Sequence, residues 1–157
     1  MEKVLRAGLV SMSIICASAN AAPAMDERAI GLFRRLEQFY REVGAGDLDS
    51  AMSLYAPDAA IILPNQPRIT GAASIRTWWE STLKDREFKV SPELVEASDL
   101  GSTVVLEGRA AGKLVSRSGG PPIEINIWFV QIYRVQPDGR FLFWRGASGP
   151  NPSPTQQ

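Results

Sequence analysis

Hydrophobic positions repeat with a helical period in the first half of the chain. In residues 26–43 the apolar side chains recur at steps of three and four, which predicts an α-helix of about five turns. Asp47 is a suitable N-cap for a second, short helix, which Pro57 limits. The apolar face of this short helix contains Leu48, Met52 and Tyr55. A third helix is predicted to begin near Thr70, with Thr70 as its cap. Its apolar stripe consists of Ile75, Trp78, Trp79 and Leu83.

The second half of the chain is typical of β-strands. The run AAIIL, residues 59–63, predicts a buried strand that Pro64 and Pro67 close. Further strand-like runs cover about 88–98, 102–115, 123–135 and 140–147. The turn sequences DLGS, SRSGGPP and QPDGR separate them. Helices followed by strands with short connections indicate an α+β domain, in which one antiparallel sheet packs a face against the three helices.

The predicted strand 123–135 is apolar on both faces, because side chains alternate between the faces of a strand. One face carries Ile125, Ile127, Phe129, Gln131, Tyr133 and Val135. The other carries Trp128, Val130 and Ile132 in its middle, whereas a face in water should be polar throughout. We expect a partner to cover these three residues, most simply the same sheet of a second subunit in a homodimer. Scattered exposed apolar residues are the alternative interpretation.

The first residues follow the three-part plan of a secretory signal peptide. Lys3 and Arg6 precede an apolar run that is too short to span a bilayer. Ala19 and Ala21 then supply the small residues that a signal peptidase recognises, which favours cleavage after Ala21. The mature protein would accordingly be periplasmic or secreted.

We therefore divide the chain into a signal peptide, residues 1–21, a folded domain, residues 22–148, and a disordered tail, residues 149–157. Cleavage would remove Cys16, the only cysteine, so that no disulfide can form within the mature domain. A lipoprotein anchored at Cys16 is the less favoured alternative, because the bulky Ile15 precedes it.

Composition narrows the classes of function. Lys+Arg and Asp+Glu both number 17, and no basic stripe indicates a nucleic acid or an anionic membrane as partner. The chain contains no histidine, which excludes Ser-His-Asp and Cys-His systems in their usual form and metal sites built on imidazole. No phosphate-binding glycine motif and no acidic calcium loop is present. We expect no metal and no cofactor, and any catalysis would use carboxylates, tyrosine, lysine, arginine or amides.

Two stretches of the chain resemble a known superfamily. They are AGDLDSAMSLYAPDAAIILPNQPRITGAASIRTWW and, after the strands, YRVQPDGRF. Both are similar to the nuclear-transport-factor-2-like (NTF2-like) superfamily, specifically its SnoaL-like and DUF4440 branch, and the first also to the start of ketosteroid isomerases. The resemblance covers about residues 28–148. It implies a cone, in which a curved sheet wraps around three helices and leaves an apolar pocket open at one end. It also implies frequent dimers through the outer face of the sheet.

The resemblance further implies a set of pocket residues. They are Phe39, Leu63, Trp78, Trp79, Phe129, Gln131 and Trp144. In an alignment with ketosteroid isomerases, Leu63 takes the position of the catalytic base, Phe39 that of the tyrosine and Gln131 that of the second acid. Leucine and phenylalanine cannot transfer a proton, so ketosteroid isomerase chemistry is not expected. Relative to SnoaL-like proteins, Gly146 replaces an expected aspartate and Ser148 an expected tryptophan.

Three residues remain as catalytic candidates, each with a simpler interpretation. Asp58 follows a proline at a helix-to-strand turn, where an aspartate more often forms the turn. Tyr55 is predicted to point inward, where core packing is the commoner role of a tyrosine. Gln131 lies on an aromatic face and needs hydrogen bonds, which Tyr55, Tyr40 or a ligand would supply.

We interpret the chain as an exported SnoaL-like homodimer that binds a small apolar molecule in the cone pocket. Two alternatives remain open. One is an enzyme of the isomerase, cyclase or hydrolase type that uses carboxylate or tyrosine chemistry. The other is a non-catalytic module whose sheet face mediates assembly, and only this last alternative does without a ligand-sized cavity.

Overall fold

The computed structural model describes residues 27–151. The helices are α1 (Glu27–Ala45), α2 (Leu48–Met52) and α3 (Ala72–Leu83). The strands are β1 (Tyr55–Ile62), β2 (Ile69–Thr70), β3 (Arg86–Asp99), β4 (Thr103–Ser116), β5 (Ile123–Val135) and β6 (Phe141–Pro150). The predicted signal peptide, residues 1–21, and residues 152–157 of the predicted tail lie outside the described residues.

The six strands form one sheet in the order β2-β1-β6-β5-β4-β3. Neighbouring strands are antiparallel except β1 and β6, which run parallel. The sheet is curved and does not close into a barrel, and the helices precede most of its strands in the sequence. The predicted α+β fold, with a mostly antiparallel sheet and N-terminal helices, is confirmed. None of the described helices is long and apolar enough to cross a membrane.

The core lies between the helices and one face of the sheet. The predicted period of α1 holds, since its buried residues are Ala29, Leu32, Leu36, Phe39 and Val43. They pack in one cluster with Ile75 of α3 and with Phe129 and Tyr133 of β5. Full burial of each large side chain of this kind stabilises the fold by about 1.5–3 kcal/mol. No polar or charged residue among those described is buried, so hydrophobic packing holds the helices on the sheet.

The start of α3 differs from the prediction. Thr70 does not cap the helix, because it pairs with Ala60 as the last residue of β2. The N-cap is Gly71, which has a φ of 91° and no side chain to donate or accept a hydrogen bond. This left-handed conformation, which suits glycine, turns the chain from β2 into α3. The predicted cap of α2 is confirmed, since the side chain of Asp47 accepts a hydrogen bond from Ser50 N at 3.1 Å.

Two further element boundaries differ from the prediction. Tyr55 does not belong to α2 but is the first residue of β1, which also includes Pro57. The strand tolerates this proline because residues 56–59 have no register partner in β6, so the missing N–H disrupts no ladder there. At the other end β6 continues to Pro150, so the first two residues of the predicted tail, 149 and 150, belong to the sheet.

Candidate functional site

A cavity of about 300 Å³ lies between the inner face of the sheet and helices α1 and α3. Its walls are mainly aromatic and aliphatic. The largest lining side chains are Phe39, Tyr40, Tyr55, Trp78, Trp79, Phe88, Phe129 and Phe143. Several of the rings meet edge to face, with Trp78 and Trp79 at 4.7 Å and Phe39 and Trp79 at 5.8 Å between ring centroids. Such contacts hold aromatic side chains in fixed orientations around the space.

The fold brings six of the seven predicted pocket residues to this cavity. They are Phe39, Leu63, Trp78, Trp79, Phe129 and Gln131. Local geometry explains the grouping. Phe39 lies on the buried stripe of α1. Phe129 and Gln131 are two residues apart in β5, so both point to the inner face of the sheet. Leu63 follows the last residue of β1, where the strand leaves the sheet.

Trp144 lies outside the cavity, which corrects its predicted role as a pocket residue. Ile132 pairs with Arg145 and Tyr133 pairs with Phe143, so Trp144 is the extra residue of a β-bulge. The indole Nε1 donates a hydrogen bond to Asp58 Oδ2 at 3.2 Å, and the guanidinium carbon of Arg134 lies 4.0 Å from the ring centroid. Phe143 contributes the inward-facing ring of β6 instead.

Asp58, a catalytic candidate in the sequence, is exposed and does not line the cavity. Its carboxylate forms an ion pair with Arg134 at 3.0 Å and accepts the Trp144 hydrogen bond. Desolvation acts to raise the pKa of Asp58, but the charge of Arg134 and the hydrogen bonds from Arg134 and Trp144 bring it below the ordinary value. The carboxylate is therefore ionised at neutral pH and engaged in joining β1 to β5 and β6.

The three tyrosines of the chain cluster at this site. Tyr40 and Tyr55 line the cavity, and Tyr133 is fully buried beside it against Phe143. Burial raises the pKa of Tyr55 to about 12, although a hydrogen bond from Trp79 Nε1 at 3.4 Å acts to lower it. Burial, together with the neighbouring Tyr55, also raises the pKa values of Tyr40 and Tyr133. All three phenols are therefore uncharged at neutral pH, and the hydroxyl of Tyr133 donates a hydrogen bond to Gln131 Oε1.

The hydrogen-bond partner of Gln131 is Tyr133. The hydroxyl of Tyr133 donates a hydrogen bond to Gln131 Oε1 at 2.5 Å. The sequence suggests Tyr55, Tyr40 or a ligand in this role, so the observed partner differs from the prediction. The spacing of two residues within β5 could have suggested Tyr133, since such residues share a face of a strand.

The cavity lining is uncharged. None of the described residues that line it has an aspartate, glutamate, lysine or arginine side chain, and its polar groups are hydroxyls and amides. Within residues 27–151 no group of three or more acidic or cysteine side chains is close enough to hold a metal ion. The arrangement can bind an uncharged molecule through apolar contacts and a few hydrogen bonds.

The outer face of the sheet carries the predicted interface residues. Trp128 is 41% exposed, and Val130 and Ile132 are half-buried. On the neighbouring strand, Arg109 lies opposite Trp128 and Glu107 lies opposite Val130. The indole of Trp128 lies close over Gly149, where an added Cβ would come within 2.7 Å of the ring. The sheet thus presents an apolar centre with one acidic and one basic side chain beside it.

Comparison with known families gives one match over most of the described chain. The model of a family described as "SnoaL-like domain" matches residues 36–144. This range includes the cavity-lining residues of both long helices and of strands β1 and β5, and Phe143 of β6, but not Gly146, Ala147 and Ser148. No curated protein matches the chain.

Solved structures of similar fold come from several bacteria. A ketosteroid isomerase-like protein from Erwinia carotovora atroseptica is 13% identical with a TM-score of 0.69, over 78% of this chain and 95% of that one. An NTF2-like superfamily protein from Salmonella enterica is 14% identical with a TM-score of 0.68, over 83% and 96%. A protein from Streptomyces avermitilis, named as a candidate dehydratase of the NTF2-like family, is 20% identical with a TM-score of 0.63, over 80% and 95%. At these identities the similarity shows the fold alone.

Proposed function

The chain belongs to the SnoaL-like domain family, as its sequence predicted, and we propose that it binds one small, uncharged and mostly apolar molecule in the cavity. The chemical character of the cavity lining is the observation that supports this proposal. About 300 Å³ are enclosed by aromatic and aliphatic side chains, with hydroxyl and amide groups among them and no charged side chain from the described residues.

Burial of a ring would supply most of the affinity. Apolar surface removed from water contributes about 25 cal/mol per Å², so a ligand that buries about 200 Å² gains about 5 kcal/mol before the costs of association. An ionised group on the ligand would lose its hydration where no opposite charge replaces it. The wide faces of Trp78 and Trp79 favour a flat ring system over a flexible chain.

The proposal is limited to binding. No described lining residue offers a carboxylate or a cation for proton transfer, and the lining phenols of Tyr40 and Tyr55 have raised pKa values. Leu63 and Phe39, which stand at the positions of the ketosteroid isomerase base and tyrosine by resemblance, both face this cavity.

A substitution at Ser148 tests the proposal. Ser148 lines the cavity, and an indole at this position would occupy the space that a ligand needs. We expect tetralin, an uncharged two-ring probe, to bind the wild-type protein in a calorimetric titration, and Ser148→Trp to weaken that binding at least about tenfold. Ser81→Trp is the matched control, because Ser81 is exposed on α3 and does not line the cavity. Equal binding by Ser148→Trp and the wild type, or no binding by the wild type, would contradict the proposal.

The signal-peptide plan of residues 1–21 supports export of the domain to the periplasm or beyond the cell. The intact mass of the protein from the extracytoplasmic fraction tests this part of the proposal. It should correspond to a chain that begins at Ala22, and a mass that includes Met1 would contradict it.

The outer sheet face supports a homodimer. Trp128, Val130 and Ile132 form an apolar centre, and no ion pair joins Glu107 to Arg109 within the described part of the chain. In a two-fold interface the same patch meets itself, so Glu107 of one copy can pair with Arg109 of the other. A mass of two chains in solution would support this arrangement, and a mass of one chain would contradict it.

A further inference from the structure

The amide oxygen of Gln131 is occupied by a protein hydrogen bond. Tyr133 lies two residues further along the same face of β5, and its hydroxyl donates to Gln131 Oε1 at 2.5 Å. The side chain of Tyr133 is fully buried, and burial raises its pKa well above the ordinary value, so that the phenol keeps its proton. This hydrogen bond places the amide oxygen of Gln131 toward Tyr133 and leaves the amide nitrogen directed away from it.

The amide nitrogen of Gln131 has no protein partner. Within residues 27–151 no oxygen atom accepts a hydrogen bond from Gln131 Nε2, and the atom is not sealed in by protein. The side chain lines the cavity, so the two N–H groups are available to a molecule inside it. An amide at an apolar wall gains stability when these donors find an acceptor.

A second lining group is also free to donate. The hydroxyl oxygen of Tyr55 accepts a hydrogen bond from Trp79 Nε1 at 3.4 Å. Its own proton finds no acceptor in the described part of the chain, and the raised pKa of Tyr55 keeps that proton in place at neutral pH. Gln131 and Tyr55 therefore each have a hydrogen-bond donor without a protein acceptor at the cavity wall.

We propose that the cavity selects an uncharged ring compound that carries a hydrogen-bond acceptor, such as a ketone, ester or amide carbonyl, and that Tyr133 is the positioning residue that makes Gln131 a donor toward it. This inference rests on the proposed ligand-binding function. Without the hydroxyl of Tyr133 the amide is free to rotate by half a turn and present its oxygen, which repels a carbonyl oxygen. A ligand of the same shape without the acceptor leaves the amide donors unpaired, which costs affinity.

The test compares two probes of nearly the same shape, 1-tetralone, which carries a ketone, and tetralin, which does not. Affinities are measured by calorimetric titration of the mature protein. We expect the wild type to bind 1-tetralone about five- to tenfold more tightly than tetralin, the range of one net hydrogen bond. Gln131→Met should reduce this ratio to about one, because it removes the donor, and Tyr133→Phe should reduce it by at least about twofold, because the amide is no longer held in the donating orientation. Gln38→Met, at an exposed glutamine of α1, is the matched control and should keep the wild-type ratio.

The ratio of the affinities for 1-tetralone and tetralin distinguishes a positioning role of Tyr133 from a role in core packing alone. If Tyr133→Phe weakens both probes equally and the ratio persists, Tyr133 acts only in the core and the positioning role is overturned. If the wild type binds both probes with equal affinity, the acceptor selection is overturned while the ligand-binding function stands. If the wild type binds neither probe, the proposed function fails and this inference fails with it. Thermal unfolding verifies that each variant is folded, and Gln131→Met tests the selection independently should Tyr133→Phe not fold.

Discussion

At the scale of single residues, the described lining of the cavity consists of neutral side chains. Leu63 and Phe39 occupy positions that hold a base and a tyrosine in ketosteroid isomerases by resemblance, and both contribute apolar surface here. A carboxylate at either place would lose its hydration without gaining a cation, which favours its protonated form. The small Ser148 leaves room that a larger side chain would fill. The described lining of the cavity therefore carries no charged side chain.

The buried tyrosines predict an alkaline limit of stability. Tyr55 has a pKa of about 12 in the folded protein and ionises near its ordinary value of 10.0 once unfolded. A raised folded pKa means that this contribution to stability is complete below pH 10 and is lost as the pH rises from 10 through about 12. The loss for Tyr55 alone approaches about 2–3 kcal/mol. Urea unfolding at a series of alkaline pH values measures it.

The same tyrosines should report their own ionisation in ultraviolet absorbance. The folded protein should show little tyrosinate near pH 10, and all three phenolates should appear together when the chain unfolds. The variant Tyr55→Phe should show a smaller decline of stability over this pH interval. A normal tyrosinate titration of the folded protein would show that the hydroxyls are hydrated.

At the scale of elements, strand β6 decides which groups face the cavity. Its bulge at Trp144 turns Trp144 toward the outer surface, where it contacts Asp58 of β1 and Arg134 of β5. Phe143 remains on the inner side, pairing with Tyr133, and Gly146 follows on the cavity wall. A single inserted residue thus exchanges an expected tryptophan for a phenylalanine in the lining.

Gly146 and Gly31 form a matched pair of glycines for testing the packing of β6. A Cβ at Gly146 would lie 2.6 Å from the ring of Phe143, whereas a Cβ at Gly31 in α1 meets nothing within 4 Å. We expect Gly146→Ala to destabilise the protein by about 1–3 kcal/mol, because the Phe143 ring must move. Gly31→Ala should stabilise it by about 0.5–1 kcal/mol, since alanine favours the helix. Chemical denaturation measures both.

The pair also bears on the cavity. A displaced Phe143 ring would change the lining, so Gly146→Ala should weaken the binding of tetralin, while Gly31→Ala should leave it unaltered. Equal stability of Gly146→Ala and the wild type would mean that the strand can shift to accept the methyl group, and that β6 is less tightly packed than the structure indicates.

At the scale of the whole molecule, one sheet has two different apolar faces. Its inner face closes the core and the cavity, and its outer face carries the patch of Trp128, Val130 and Ile132. Covering the outer patch with a second copy removes apolar surface from water without touching the cavity. The proposed ligand binding and the proposed dimer can therefore be tested by separate mutations.

Trp128→Glu tests the proposed dimer. A carboxylate at the centre of the patch would be buried without a partner cation in a two-fold interface, so the variant should have the mass of one chain where the wild type has that of two. Leu100→Glu is the matched control, because Leu100 is 67% exposed in the β3–β4 turn, away from the patch. Light scattering after size-exclusion chromatography measures the masses. An unchanged dimer mass in Trp128→Glu would place the interface elsewhere.

Much of the architecture could be predicted from local pattern. The steps of three and four in α1 predicted its buried stripe, and the alternation in β5 predicted that Phe129 and Gln131 point inward and Trp128 outward. These features follow from the geometry of one element, which the chain carries in its own residue spacing. Asp47 capped its helix as expected for the same reason, since its partner, Ser50, is three residues away.

Other features were decided only when distant segments met. The outward turn of Trp144 depends on the register between β5 and β6, and the position of Asp58 depends on Arg134, 76 residues away. Thr70 became a strand residue because Ala60 was available as its partner. The sequence by itself thus determined the helices and most strands, because periodicity is local, and its resemblance to the NTF2-like superfamily implied the apolar pocket. The tertiary structure alone decided which ring of β6 faces the cavity and that the acid lies outside it, because pairing register and ion pairs join residues that no local pattern relates.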